Sequence, residues 1–309
     1  MLKVIGHTPP DTDTVCSPIV YAWYLSNRRG TPAQAFRSGD LNKETQFVLD
    51  YFGVEVPDNL ESFSADDEVV IIDTNNPDEL ITGYDVATIV ELIDHHKLTG
   101  GLSTSSPIRI TIRPTGCSAS IIWEIIKGEG NQDIPMEMAG LLLACILSDT
   151  LKFSSPTSTE KDRDYADELA LLAEVDIDEF AEKLFDAKSN LDGFTSEEIV
   201  KMDSKVYEMG GDKIRFSVME TTKPQILLAM ESDLKETMNA IKSEDSLGGL
   251  YFFFFFILEN ASTLIVTSDK EREVAEKAFG ESFDENGRMY LPGVVSRKKQ
   301  MIPMIEGVL

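Results

Sequence analysis

Cysteine, positive charge, histidine and long apolar runs are all in short supply in this sequence, and each shortage excludes something. Cys16, Cys117 and Cys145 are odd in number and form no C-x-x-C pair. Neither a disulfide framework nor a zinc ribbon is therefore expected, and a reducing, cytoplasmic compartment fits best. The most hydrophobic stretch, residues 250–258, carries five consecutive phenylalanines but is about half as long as a membrane span. It reads as a buried strand. The first apolar run ends after four residues, which is not the pattern of a secretory leader. Lysine and arginine number 28 against 54 acidic residues, for a net charge of −26. Such a surface repels nucleic acid and anionic membranes, so neither is an expected partner. If the substrate is an anion, the site must invert the local field with metal ions and a few placed cations.

What the sequence does contain is a concentrated set of metal-binding side chains. Its three histidines all lie in two acidic motifs. His7 opens His7-Thr8-Pro9-Pro10-Asp11-Thr12-Asp13, directly after an apolar run, and His95 and His96 close Ile93-Asp94-His95-His96. Asp73 ends the apolar residues 69–72, and Asp149 follows the apolar residues 141–148. Neutral imidazole with carboxylate is the ligand set of a borderline divalent cation, and strand ends converging on one crevice are where an open α/β sheet places its ligand. Either motif alone is weak evidence, because an aspartate after a turn is often a helix N-cap. Six candidate ligands at the ends of separate apolar runs are hard to obtain by chance; they point to a centre of two cations, with Asp73, in the middle of the set, as the natural bridge. The excess of aspartate over histidine leaves Mn²⁺, Co²⁺ and Mg²⁺ open. Two such ions could activate a water and clamp the oxygens of a phosphoryl group.

One run of three basic residues stands out against the acidic background: Val295-Ser296-Arg297-Lys298-Lys299-Gln300. It follows Pro292-Gly293 and precedes the apolar Ile302, so it is flanked by structure rather than trailing as a tail. Arginine offers a planar fork and lysine a point charge to phosphate oxygens, and a phosphate clamp is the expected role. Lys205, judged from composition alone, is a surface lysine.

With 309 residues the chain is long enough for two domains. In the first, strand-like residues 2–6, 69–73, 88–94 and 108–112 alternate with helix-like residues 15–28, 118–127, 137–147 and 164–187. That alternation predicts an α/β fold with a mostly parallel sheet and helices on both faces. Polar residues and a glycine at 189–194 interrupt the pattern as a hinge linker between domains 1–188 and 195–309. The second, smaller α/β domain has strand-like residues 213–219, 250–258 and 263–267, and helix-like residues 224–242 and 270–279. The active site is expected in the cleft between the two domains.

The two histidine motifs, Pro114-Thr115-Gly116-Cys117-Ser118-Ala119, Leu147-Ser148-Asp149-Thr150 with Ser154-Ser155-Pro156-Thr157, and Gly293-Val294-Val295-Ser296-Arg297-Lys298-Lys299-Gln300 together resemble the manganese-dependent, family II inorganic pyrophosphatases of the DHH phosphoesterase superfamily. The resemblance runs in order over nearly the whole chain. It implies that a metal-bridging water hydrolyses pyrophosphate to two phosphates. His7, Asp11 and Asp73 would hold one Mn²⁺, and Asp13, Asp73, His95 and Asp149 the other. Co²⁺ or Mg²⁺ could replace manganese, and further Mg²⁺ would arrive with the substrate. His96 would contact the substrate and protonate the leaving phosphate, Asp94 would orient the histidines, and Lys205, Arg297 and Lys298 would grip the pyrophosphate oxygens. The resemblance also implies a homodimer formed through the N-terminal DHH domain. Where the family usually has asparagine this chain has Pro9, and where it usually has D-H-N this chain reads Asp73-Thr74-Asn75; neither change removes a ligand. The interval between Asp13 and Asp73 has no room for a nucleotide-sensing insert. The rival readings are another DHH phosphoesterase, acting on polyphosphate, oligonucleotides or cyclic dinucleotides, and a non-catalytic scaffold stabilised by metal.

Overall fold

The computed structural model describes residues 1–130 and 133–309, and at position 258 the backbone alone. Two compact units are formed, Met1–Ala187 and Lys188–Leu309.

The first unit begins with β1 (Leu2–Ile5), α1 (Thr12–Asn27), β2 (Ala33–Arg37), α2 (Lys43–Phe52) and the two-residue β3 (Asp58–Asn59). It continues through β4 (Glu68–Ile72), β5 (Thr88–Asp94), β6 (Arg109–Ile112), α3 (Ser118–Gly128), α4 (Met136–Asp149), α5 (Glu160–Ala173) and α6 (Ile177–Lys188). The six strands form one sheet in the order β3-β2-β1-β4-β5-β6, and every neighbouring pair is parallel. Parallel strands covered on both faces must be apolar throughout. Val69, Val70, Ile71 and Ile72 of β4 are accordingly all fully buried. The chain leaves β1 toward β2 and β3 on one side, then returns as β4 on the other. The connections therefore diverge between β1 and β4, which opens a crevice at their carboxyl ends.

Helix ends follow local chemistry. Asp11 caps α1 by accepting the Thr14 N–H at 2.9 Å, so α1 starts at Thr12, three residues before the apolar pattern becomes visible. Asn42 caps α2 in the same way, and Gly53 ends it in the left-handed conformation at φ 65°. Residues 164–187, expected as one helical region, are two helices. Glu174 turns left-handed at φ 55° and separates α5 from α6, a break that no glycine or proline marks. Helix α4 is buried on almost every side because it packs against both α1 and α5.

The second unit contains α7 (Ser196–Lys201), β7 (Ser204–Met209), β8 (Asp212–Thr221), α8 (Pro224–Ala229), α9 (Glu231–Glu244) and β9 (Gly249–Phe256). After these come β10 (Ala261–Ile265), α10 (Asp269–Phe279), β11 (Arg288–Pro292), a single wide π-helical turn over Arg297–Met301, and α11 (Ile302–Glu306). Its sheet has the order β11-β10-β9-β8-β7. The β8–β9 pair is parallel and the other pairs are antiparallel. The phenylalanine run is β9, the central strand. Side chains alternate across a strand, so Phe252, Phe254 and Phe256 join Ile199, Leu227, Leu234 and Met238 in one core, while Phe253 meets Phe279 edge-on at 6.0 Å. Every side chain of β9 is buried, which accounts for a strand without polar alternation. Leu191, in the stretch read from sequence as a linker, is part of this second core. The helical pattern over 224–242 also divides, at Met230, into α8 and α9.

Candidate metal centre

The candidate ligands gather at the carboxyl ends of β1, β4 and β5 and at two helix ends. His7 lies two residues beyond β1. The intervening Gly6 leaves no room for a side chain: a Cβ there would stand 2.7 Å from Thr14 Cγ2 and 3.0 Å from the Ile72 carbonyl oxygen. Asp11 is the cap of α1, and Asp13 sits fully buried in the first turn of that helix. The H-x-x-x-D-x-D motif is therefore half loop and half helix rather than a single loop. Asp73 follows β4 directly and adopts φ 70°, a left-handed conformation that aspartate tolerates better than most residues. Asp94 ends β5, and His95 and His96 come next. Asp149 is the last residue of a helix, α4, not of a strand.

These residues form three groups whose ligand atoms lie within 4.8 Å of one another: His7, Asp11 and Asp73; Asp13, His95 and Asp149; and Asp73, His95 and His96. The two oxygens of Asp73 face different histidines. Oδ2 lies 3.5 Å from His7 Nε2, and Oδ1 lies 3.4 Å from His95 Nε2. Donors each about 2.1 Å from one cation are separated by roughly 3–4 Å, so both spacings suit a shared ion. Asp11 Oδ2 stands 3.4 Å from His7 Nε2 on the same side. His96 is the outlying member. Half of its side chain is exposed, and its Nδ1 is 2.9 Å from Asp94 Oδ1 but 3.9 Å from Asp73.

The surroundings suit cations in two independent ways. Nδ1 of His7 is 2.8 Å from the Pro9 carbonyl oxygen, and Nδ1 of His95 is 3.1 Å from that of Thr115. A carbonyl can only accept, so each Nδ1 carries a proton, and Nε2 is the nitrogen that faces the carboxylates and would bind a metal once its own proton is displaced. The charge balance points the same way. Burial opposes protonation of His7, yet the carboxylates of Asp11 and Asp73 outweigh it and hold the imidazole at about 11. The same contest at His95, where Asp73 is the main opponent of burial, leaves it at about 9. Burial, with repulsion from Asp73, pushes Asp13 up to about 7. Asp73, despite complete burial, is held well below the usual carboxylate range by the two histidines. In the metal-free protein, protons thus supply the positive charge that this cluster of acids demands. The donor set fits divalent cations.

A surrounding layer of donors, which the sequence reading did not single out, holds the carboxylates. Thr14 Oγ1 donates to Asp73 Oδ2 at 2.9 Å, and Ser118 Oγ to Asp73 Oδ1 at 2.9 Å. Asp13 accepts from Ser17 Oγ at 2.5 Å and from the N–H groups of Ser118 and Ala119 at 2.7 and 3.2 Å, at the start of α3. That helix start favours a negative charge. Asn75 Nδ2 donates to Asp94 Oδ2 at 2.5 Å, while Asn75 Oδ1 accepts the Thr99 N–H. Asp94 is thereby fixed as the partner of His96, and its hydrogen bond raises His96 above the ordinary imidazole range against the opposing effect of burial. The Pro114–Ala119 motif was visible in the sequence, but only folding reveals that its Thr115 and Ser118 serve the ligands.

In the second unit, Arg297 and Lys298 lie in the π-helical turn, which Ser296 caps. Gln300 Oε1 accepts the N–H groups of Val295 and Ser296 at 2.9 and 3.0 Å, so the basic run is a folded feature. Arg297 Nη1 contacts Asp203 Oδ1 at 2.6 Å and the Asp203 carbonyl oxygen at 2.9 Å. This pairing places Arg297 beside the start of β7, the strand that carries the exposed Lys205.

A parallel sheet of this order with aspartate and histidine at its switch point defines a two-unit protein of the DHH class. Residues 2–146 match the DHH family, N-terminal domain, and residues 182–308 match the DHHA2 domain. Proteins of Bacillus cereus strain B4264 and Bacillus thuringiensis subsp. konkukian strain 97-27, both bearing the name probable manganese-dependent inorganic pyrophosphatase, are 37% identical over 303 residues, which cover 98% of this chain and 96% of theirs. The crystal structure of a Methanococcus jannaschii protein assigned to the family II inorganic pyrophosphatases is similar over 100% of this chain and 99% of that one, with a TM-score of 0.74 and 32% identity. This chain belongs to the manganese-dependent, family II inorganic pyrophosphatase family.

Proposed function

We propose that this protein hydrolyses inorganic pyrophosphate to two phosphates at a centre of two divalent cations, Mn²⁺ in the first instance. The observation that carries the reading is the Asp73 carboxylate, whose two oxygens face His7 and His95 separately. One cation would be held by His7, Asp11 and Asp73, and the other by Asp13, Asp73, His95 and Asp149. Bound there, the pair would supply an acidified water and neutralise charge on the phosphates. The chain's own residues do the rest. His96, with Nδ1 engaged by Asp94, keeps Nε2 for the substrate and a proton for the departing phosphate. Asp94 orients that ring. Lys205, Arg297 and Lys298 hold pyrophosphate oxygens, the arginine by its fork and the lysines as point charges, and Mg²⁺ accompanies the substrate. Catalysis is then mainly positioning and electrostatic stabilisation.

The protein is proposed to work in the cytoplasm, a reading supported by three free, buried cysteines. Among the described residues no helix is long and apolar enough to cross a membrane. A homodimer formed through the N-terminal unit rests on the family resemblance, and the net charge of −26 argues against nucleic acid as a partner. The test is phosphate release by metal-stripped protein refilled with Mn²⁺, Co²⁺, Mg²⁺ or Zn²⁺, assayed on pyrophosphate, tripolyphosphate and a dinucleotide. Fast release from pyrophosphate alone, greatest with Mn²⁺ or Co²⁺, is expected. Release chiefly from the dinucleotide or tripolyphosphate would reassign the substrate, and no release with any ion would leave a scaffold.

A further inference from the structure

Asp162 lies outside the ligand set, yet it is fully buried and accepts four hydrogen bonds. Its Oδ2 accepts the Gly116 N–H at 3.0 Å, the Thr159 N–H at 2.7 Å and the Thr159 hydroxyl at 2.7 Å; its Oδ1 accepts the Ser120 hydroxyl at 2.6 Å. The bond from the Thr159 N–H is one half of the capping box of α5, whose other half is the Asp162 N–H donated to Thr159 Oγ1 at 3.3 Å. Capping needs only those two, and it needs no burial. The bonds to Gly116 and Ser120 reach more than forty residues back along the chain and grip the segment 116–120 from both sides.

Between those two grips lie the residues that orient the candidate ligands. Ser118 donates its hydroxyl to Asp73 and its N–H to Asp13, and Ala119 N–H also reaches Asp13. Immediately before the first grip, the Thr115 carbonyl holds Nδ1 of His95. Gly116 itself is wedged between two partners. A Cβ there would stand 2.6 Å from Thr150 Cγ2 and 3.0 Å from Asp162 Oδ2, and Thr150 follows Asp149 directly. One carboxylate therefore governs the placement of groups that touch Asp13, Asp73 and His95, beside the end of α4 that carries Asp149.

We infer that Asp162 is a positioning residue of the metal centre, setting the tautomer of His95 and the donors to Asp13 and Asp73 through the segment 115–120. The inference rests on the two-cation reading given above. Asparagine at this position is nearly isosteric but places an NH₂ against a cluster in which every partner is a donor.

The experiment measures Mn²⁺ dissociation constants and Mn²⁺ EPR spectra for the wild type, Asp162→Asn and Thr159→Ala, together with thermal midpoints. Asp162→Asn is expected to weaken Mn²⁺ binding by about tenfold or more and to change the EPR spectrum. Thr159→Ala, which removes one cap hydroxyl and leaves the Gly116 and Ser120 bonds, is expected to lower the midpoint while keeping Mn²⁺ affinity within about twofold of wild type. Asp162→Asn with wild-type affinity and spectrum would overturn the inference. So would Thr159→Ala losing affinity in step with its stability, because the effect would then be general. If Asp162→Asn does not fold, Gly116→Ala takes its place with the same expectation, and wild-type affinity in that variant overturns the inference equally. A wild-type protein that binds no Mn²⁺ would instead overturn the metal-centre reading, and this inference with it.

Discussion

Ser118 Oγ donates to Asp73 Oδ1 at 2.9 Å, occupying one lone pair of the very oxygen that faces His95. Thr14 does the same at Oδ2, on the His7 side. A carboxylate has about four acceptor sites, so each oxygen keeps one lone pair for a cation. These two hydroxyls set the orientation of the Asp73 carboxylate, the proposed bridge. Ser118→Ala is expected to lower Mn²⁺ affinity by about 10- to 100-fold with little loss of fold stability, measured by competition with a metallochromic indicator. Unchanged affinity would show that the Ser118 hydroxyl does not orient Asp73 for metal binding.

The protons of the metal-free site have a thermodynamic consequence. His7 and His95, raised from 6.5 to about 11 and about 9, contribute stability that is complete below 6.5 and is lost as pH rises through those values. Asp13, raised from 3.8 to about 7, acts in the same direction, because holding its proton in the fold means losing stability as pH climbs above 3.8. The thermal midpoint of the metal-free protein should therefore fall between about pH 6 and pH 9.5. On the proposed ligand set manganese displaces the imidazole protons, so its apparent affinity should rise over the same range. Calorimetric titration in buffers of different ionisation heat should detect protons released on binding; no release would mean that both imidazoles are already neutral.

Substrate residues and metal residues should separate in kinetics. Arg297 belongs to the second unit and pairs with Asp203, while none of the candidate metal ligands lies there. Arg297→Lys removes the bidentate fork and keeps the charge. It is expected to lower kcat/KM for pyrophosphate by about tenfold or more, with Mn²⁺ affinity unchanged. A variant with normal kcat/KM would remove Arg297 from the substrate site.

The phenylalanine run supports the fold rather than the chemistry. Phe254 is fully buried, and its ring meets Phe252 edge-on at 4.9 Å. Phe254→Ala should destabilise the protein by about 3–5 kcal/mol, read from urea unfolding. A cost below about 1 kcal/mol would mean that the second core repacks around the gap.

How much of this was legible depended on where the information resides. Strand β4 was readable because residues 69–72, covered on both faces, are all apolar, and Asp73 directly after them then stands out; β1 and β5 were readable from shorter apolar runs broken by Lys3 and Glu91. The cluster of candidate ligands was readable because histidine is scarce enough here for position to carry meaning. Several elements were not visible. Strand β2 is only half-buried along its length, which gives no alternation to detect, and β3 has two residues. The break between α5 and α6 depends on Glu174 adopting a left-handed conformation that any reading by residue type would assign to glycine. The service of Thr14, Asn75 and Ser118 to the candidate ligands and their partners is a set of long-range relationships. A serine that serves an aspartate 45 residues away looks like any other serine until the chain is folded.

The bridging role of Asp73 is tested most directly by counting and spectroscopy on the same sample: equilibrium Mn²⁺ binding with low-temperature EPR, for wild type and Asp73→Asn. Wild type is expected to bind two ions per chain with the exchange-coupled spectrum of a bridged pair, and the variant to lose that coupling together with pyrophosphate hydrolysis. Two uncoupled ions, a single ion, or a coupled pair that persists without the Asp73 carboxylate would contradict the bridge.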